Sequence, residues 1–240
     1  MKTPVVSIVI PTLNEEKYLP VLLGSILAQD FRAYEIIVAD SNSKDRTRQI
    51  AEKFGCKIIA GGLPAKARNN GAKVAEGEWV LFLDADVIIP FDFLSKILKK
   101  AKTNRLDIAT TMFIPLSHTN IDMALHKIVF HYMKFMRNFK PLAPGFCIMV
   151  KKRVHERICG FDEALRFCED HDYVLRASKI AKFGVLKDPY VLVSVRRLDY
   201  EKRHKLALKY GVAAFNIIVG KNKKNNQIQY DFGKFHEVKR

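Results

Sequence analysis

Four short apolar runs, each followed by a helix-like or turn-forming stretch, constrain this chain more than any other feature. Val5 to Ile10, Glu35 to Ala39, Lys57 to Ile59 and Trp79 to Leu83 are too short for helices and are rich in β-branched and bulky residues. A near-continuous apolar run, as opposed to strict alternation, marks a strand buried on both faces, as in a parallel sheet. Between them, Tyr18 to Gln29 places Leu19, Leu22, Leu23, Ile26 and Leu27 on one helical face. A polar turn from Asp40 to Lys44 leads to Asp45, a good helix N-cap. A Gly-Gly-Leu-Pro loop precedes a helix near Ala65 to Glu76. Strands alternating with helices predict an α/β fold with a doubly wound, mostly parallel sheet.

Ligands of such sheets bind beyond the strand C-termini. Those ends carry Pro11, Thr12, Asn14 and Glu15, then Asp40 and Ser41, then Asp84-Ala85-Asp86. Neither a GxGxxG nor a GxxxxGK[ST] pattern occurs, so dinucleotide and P-loop sites are not supported. Two carboxylates one residue apart, Asp84 and Asp86, suit a hard cation that prefers oxygen ligands, Mg²⁺ or Mn²⁺. Arg68 suits a diphosphate oxygen, or equally a structural ion pair with an acidic residue. In Glu169-Asp170-His171-Asp172 the acids open a helix, where the dipole favours them. The same carboxylates suit a general base.

After Ile114 the alternation stops. The pattern predicts helices over Ile121 to Phe139, Asp170 to Phe183 and Lys202 to Val219, and strands over Cys147 to Lys151 and Val191 to Val195. We read one domain over 1–220, with a nucleotide-binding half at 1–113, an acceptor-binding half at 114–220 and a polar basic tail at 221–240. The net charge of +16 sits mainly in residues 122–157, at +6, and 187–240, at +8. Such segments suit phosphates, an anionic membrane surface or nucleic acid. On a helix over Met123 to Phe139, Leu125, Ile128, Val129, Tyr132, Met136 and Phe139 share a face flanked by Lys127, Lys134, Arg137 and Lys140. That describes either an interfacial helix or a core helix. Four cysteines without a CxxC pair point to neither zinc nor a disulfide framework. No apolar run reaches the ~20 residues that span a bilayer. The expected location is cytoplasmic, with peripheral contact at the inner face of the cell membrane.

The segments Ile8-Val9-Ile10-Pro11-Thr12-Leu13-Asn14-Glu15, Asp40-Ser41-Asn42-Ser43-Lys44-Asp45-Arg46-Thr47, Ala67-Arg68-Asn69-Asn70-Gly71, Leu83-Asp84-Ala85-Asp86, Gly160-Phe161-Asp162-Glu163 and Glu169-Asp170-His171-Asp172 together resemble the family 2 glycosyltransferases of the GT-A fold. The resemblance implies inverting transfer from a nucleotide-diphosphate sugar to a sugar or lipid-linked acceptor. It implies that Thr12, Asn14 and Asp40 line a nucleoside pocket, with Pro11, Glu15, Ser41 and Ala85 beside it. It implies Arg68 at the diphosphate, Asp84 at the ribose or metal, Asp86 as metal ligand, and Asp170 as base with Glu169 next to it. Arg196 and Arg197 fall where a segment near the diphosphate is expected. Many members carry two adjacent acids where this chain has Asp40-Ser41. The alternatives are a polyprenyl-phosphate sugar synthase and a non-catalytic nucleotide-sugar-binding or nucleic-acid-binding protein. Nucleic acid explains the charge but not the acids at the strand ends.

Overall fold

All four expected strands form. In the computed structural model, which describes residues 3–201 and 203–218, β1 (Val6–Thr12) is followed by α1 (Leu19–Leu27), β2 (Tyr34–Asp40), α2 (Thr47–Lys53), β3 (Lys57–Ala60), α3 (Pro64–Val74) and β4 (Trp79–Leu83). The chain continues through β5 (Val87–Ile88), α4 (Phe93–Thr103), β6 (Ile108–Leu116), α5 (Asn120–Met136), β7 (Cys147–Lys151) and α6 (Lys152–Arg157). It then forms α7 (Glu169–Ala177), β8 (Phe183–Ser194), α8 (Arg196–Glu201) and α9 (Arg203–Ile218). The tail at 221–240 lies outside the described residues.

The strands form one sheet in the order β3-β2-β1-β4-β7-β6-β8-β5. The first four pair in parallel, whereas β7 runs antiparallel to both β4 and β6. Both faces are covered, which explains the continuous apolar runs. Successive residues point to opposite faces. Val6, Ile8, Ile10, Trp79, Leu81 and Leu83 enter one cluster, together with Leu22 and Ile26 of α1 and Phe93 and Ile97 of α4. Val9, Val80 and Phe82 enter the other, with α3 and α7. Small residues let α3 lie close against the sheet: a Cβ on Gly71 would collide with Val9 Cγ1.

Several expectations shift. Arg46, not Asp45, takes the N-cap position of α2; Asp45 stands one residue earlier and its carboxylate accepts from the Thr47 amide at 2.9 Å. The helix expected to run to Phe183 ends at Ala177, where the Ser178 and Ile180 amides close the last turn on Val174 and Ala177. Phe183 instead opens β8, a strand far longer than the Val191–Val195 segment because its first half pairs with β6. The helix expected over Lys202 to Val219 forms as α9, and a short helix that was not expected, α8, precedes it. The elements β5, α4, β6 and α6 were not read from the pattern. On α5 the core contacts are Asp122, Phe130 and Met133. The face carrying Leu125, Ile128, Val129, Tyr132 and Phe139 is exposed, so it is not a core face.

An aromatic cluster fastens α7 to the sheet. Phe161 stacks on Tyr173 with ring centroids 3.9 Å apart, and Phe82 meets both edge-on. His155 is buried among them, its Nδ1 3.0 Å from the Tyr173 hydroxyl. Burial, aided by Arg176 and Lys152, pushes the imidazole down from 6.5 to about 4. The unfolded chain therefore binds the extra proton between those values, so stability is full above pH 6.5 and declines as pH falls toward 4. The loss reaches about 3 kcal/mol, at about 1.4 kcal/mol per pKa unit. Urea unfolding at pH 7 and pH 5 should show this decline, and His155→Phe should flatten it; an unchanged slope in the variant would assign the effect to other groups.

Candidate functional site

The turn after β4 sets up the site. Ala85 is buried, which anchors the middle of the turn and leaves Asp84 and Asp86 to either side of it. Asp84 Oδ1 accepts from Nη2 of Arg68 at 2.8 Å, and Nη1 of the same guanidinium reaches Glu169 Oε1 at 2.7 Å. Arg68 comes from the middle of α3 and Glu169 opens α7, so one buried cation joins three elements. Its ring neighbour is Phe161, 5.5 Å from the guanidinium carbon. Nε of Arg68 has no hydrogen-bond partner among the described residues.

Gly145, in the loop before β7, completes this cluster. Its amide donates to Asp170 Oδ2 at 2.6 Å, and its carbonyl lies 3.4 Å from Arg68 Nη2. A Cβ here would fall 2.7 Å from that nitrogen and 3.2 Å from Asp170 Oδ2, so only glycine lets the backbone pass between them. The other Asp170 oxygen accepts from the His171 amide at 2.8 Å. Burial would lower Arg68, but Asp84, Glu169 and Asp170 outweigh it and hold the guanidinium charged. Burial and the adjacent Asp170 charge raise Glu169, with Arg68 opposing.

A second charged group lies alongside. Arg196, at the start of α8, grips both carboxylate oxygens of Glu15 at 2.8 Å and donates from Nε to Asp86 at 2.8 Å. Its guanidinium lies over the Tyr18 ring at 4.5 Å. Burial pushes Asp86 up to about 6 against the pull of Arg196, and the Asp84 charge adds to the rise. Glu15 is raised by burial in the same way, and Asp84 adds there too. Glu15, Asp84 and Asp86 offer carboxylate oxygens, the ligand type a hard divalent cation takes, but among the described residues the three-residue group whose ligand atoms lie within 4.8 Å of one another is Cys168, Asp170 and His171. At present the Arg196 guanidinium neutralises Glu15 and Asp86.

The ends of β1 and β2 form a third group. The Asp40 carboxylate is fully enclosed and accepts from Thr12 Oγ1 at 3.1 Å and the Ser43 amide at 3.1 Å. Asn14, with φ of 55°, accepts from the Lys44 amide at 2.7 Å through its side-chain oxygen. Ser41 Oγ both donates to the Gly62 carbonyl and accepts from the Gly62 amide. Pro11 pairs in register with Ala39. Thr12, Asn14, Asp40 and Ser41 thus organise the loops there. Arg197 stands apart from Asp86: it donates to the Tyr210 hydroxyl at 3.0 Å and lies over the Phe167 ring. Arg176 pairs with Asp172 at 2.7 Å. Sequence reasoning missed Gly145 and the Glu15–Arg196 pair. The Pro144-Gly145 turn dipeptide was a signal for the first; nothing local marks the second.

Residues 7–159 match the model of Glycosyl transferase family 2, and the chain belongs to that family. It is 41% identical over 217 residues to the poly(ribitol-phosphate) beta-N-acetylglucosaminyltransferase TarS of Staphylococcus aureus, covering 80% of this chain and 35% of that protein. The chain therefore spans about a third of the length of that relative. A crystal structure of S. aureus TarS 1–349 with UDP-GlcNAc superposes with a TM-score of 0.66 at 26% identity, covering 79% of this chain and 58% of that one. A beta-1,3-glucosyltransferase of Campylobacter jejuni, named for its GalNAc(5)-diNAcBac-PP-undecaprenol substrate, is 35% identical over 107 residues, 41% of this chain and 35% of that protein. The superposed structures bear out the mixed, mostly parallel GT-A sheet expected from the sequence.

Removing one partner of a buried ion pair leaves an uncompensated charge. Arg68→Met should destabilise the protein by about 3 kcal/mol or more, whereas Arg68→Lys, which keeps the charge, should lose less. Chemical denaturation of both variants checks this; equal stabilities would mean the carboxylates do not depend on the guanidinium charge.

Proposed function

We propose that the chain is an inverting glycosyltransferase that moves a sugar from a nucleotide-diphosphate donor to an acceptor hydroxyl, with Mg²⁺ or Mn²⁺ as cofactor. The observation that carries this reading is Arg68, which ties the Asp84-Ala85-Asp86 turn to Glu169-Asp170 across the end of the sheet. Donor-side carboxylates and an acceptor-side base then lie on either side of one fixed cation.

In this reading Asp86, with Asp84 and Glu15 close by, holds the cation, which when bound stabilises the negative charge of the departing diphosphate. Thr12, Asn14, Asp40 and Ser41 shape the loops that receive the nucleoside, beside Pro11. A cation held by Asp86 would take over the charge compensation that Arg196 supplies there, which would make the Arg196 guanidinium available to phosphate oxygens. Arg68 fixes Asp84 and Glu169 and adds positive potential. Asp170, already aligned by the Gly145 and His171 amides, accepts the proton of the acceptor hydroxyl as it attacks the anomeric carbon. Attack opposite the leaving diphosphate inverts that centre. A UDP-linked sugar is the first donor to test, since TarS was crystallised with UDP-GlcNAc. The acceptor is a glycan or a lipid-linked glycan, the latter placing the enzyme at a membrane surface.

The basic segment 122–157 also favours a second reading, with a polyprenyl phosphate as acceptor. A phosphate oxygen is ionised at neutral pH and needs no base, so the two readings part at Asp170.

A donor titration beside a transfer assay tests both. Asp170→Asn should keep donor affinity within a few fold while turnover falls about 10²–10⁴-fold, the usual contribution of a general base. Near-full turnover in that variant supports the phosphate acceptor. Asp86→Ala should lose most of the gain in nucleotide binding that Mn²⁺ brings; equal binding with excess chelator would reject the metal assignment.

A further inference from the structure

Helix α5 packs on the sheet through Phe130 and Met133 and leaves a large apolar stripe uncovered. Ile121, Leu125, Ile128, Tyr132 and Phe135 recur at spacings of three and four and so share one side of the helix, and Phe139 follows in the turn after it. All six are exposed, Ile128 by 64%, Phe135 by 71% and Phe139 by 72%. Phe135 and Phe139 also touch each other, centroids 6.0 Å apart. A contiguous patch of this kind marks an interaction surface more than a random scatter of apolar residues would.

The charges on the helix choose the partner. Lys127 and Lys134 are exposed on α5, with Arg137 exposed directly after it, whereas the one acid of the helix, Asp122, is buried. An apolar stripe beside a basic, acid-free face is the pattern of a helix lying in the interface of an anionic bilayer. A second copy of this chain is a poorer fit. It also carries +16, and no exposed acid on α5 would answer the lysines. The stripe also falls short of the three to four heptads, roughly, that a coiled coil needs. The C-terminal residues 219–240 hold six lysines and arginines against two acids, and are equally poor partners by charge.

We propose that α5 docks the protein on an anionic phospholipid surface, with the Ile121–Phe139 stripe entering the headgroup boundary and Lys127, Lys134 and Arg137 drawing it there. The loop that follows α5 carries Gly145, which touches Arg68 and Asp170. Docking therefore holds that side of the site near the bilayer. The proposal deepens the lipid-linked acceptor reading, but the surface stands apart from the charged site.

Co-sedimentation with phosphatidylcholine vesicles, with and without phosphatidylglycerol, tests it. The protein should pellet with the anionic vesicles and less so as salt rises, because exposed charge is screened within ~10 Å at 0.1 M. Ile128→Ser with Phe135→Ser should reduce pelleting at least ten-fold while circular dichroism stays unchanged, since both side chains are exposed. Lys127→Gln, Lys134→Gln and Arg137→Gln together should weaken the salt dependence. Wild type that stays in solution at low salt, or a serine variant that pellets like wild type, overturns the proposal. So does a dimer in light scattering that the serine variant dissolves. A thermal shift by UDP with Mn²⁺ is read in parallel: its loss with sedimentation intact would fault the donor site and leave the docking surface standing.

Discussion

One buried guanidinium holds the site together. Arg68 has almost no solvent exposure, and taking such a charge out of water is costly unless partners replace the water. Asp84 and Glu169 do so, one at the end of β4 and one at the start of α7, 101 residues from Arg68. The arrangement needs the mixed sheet. Because β7 runs antiparallel beside β4, the loop that leads into it arrives at the same edge as the Asp84-Ala85-Asp86 turn. Gly145 can then pass between Arg68 and Asp170, where any side chain would strike one or the other.

Arg196 applies the same physics with a different outcome. It neutralises Glu15 and Asp86, and burial still pushes Asp86 up to about 6. Desolvation outweighs the ion pair there, so these carboxylates lie under electrostatic stress that another cation can relieve. On the proposed mechanism, loading the donor exchanges one positive charge for another. Because Arg196 opens α8, the exchange links the donor pocket to the C-terminal helices. Arg68 has no such freedom: it is enclosed, and Phe161, itself stacked on Tyr173, covers its flank.

The first half of the fold could be read from sequence because each strand is buried on both faces and each covering helix shows its apolar stripe. The two carboxylates after Trp79–Leu83 and the acids at Glu169–Asp172 could be read for the same reason: they follow or open regular elements. What escaped were the long-range pairings. Nothing near Glu15 tells that Arg196 will reach it, and nothing near Arg68 tells which acids it will meet. The second half was harder because β7 and β8 enter a sheet already formed, so their partners are set by topology and not by local pattern. On α5 the apolar face could be identified, but its exposure could not. A stripe of Leu, Ile, Tyr and Phe looks alike whether it faces a core or water, and only the packing of Phe130 and Met133 against the sheet decided which side was in.

The central claim is that the carboxylates beyond β4 form a donor site arranged around a fixed Arg68 and a displaceable Arg196. Anomalous scattering from crystals grown with Mn²⁺ and UDP tests it most directly. The account predicts one manganese peak within bonding distance of an Asp86 oxygen, the diphosphate beside it, Arg196 withdrawn from Asp86, and Arg68 still paired with Asp84 and Glu169. A manganese or a nucleotide bound away from the ends of β1 and β4, or an Arg196 that stays on Asp86 with both ligands present, would contradict it.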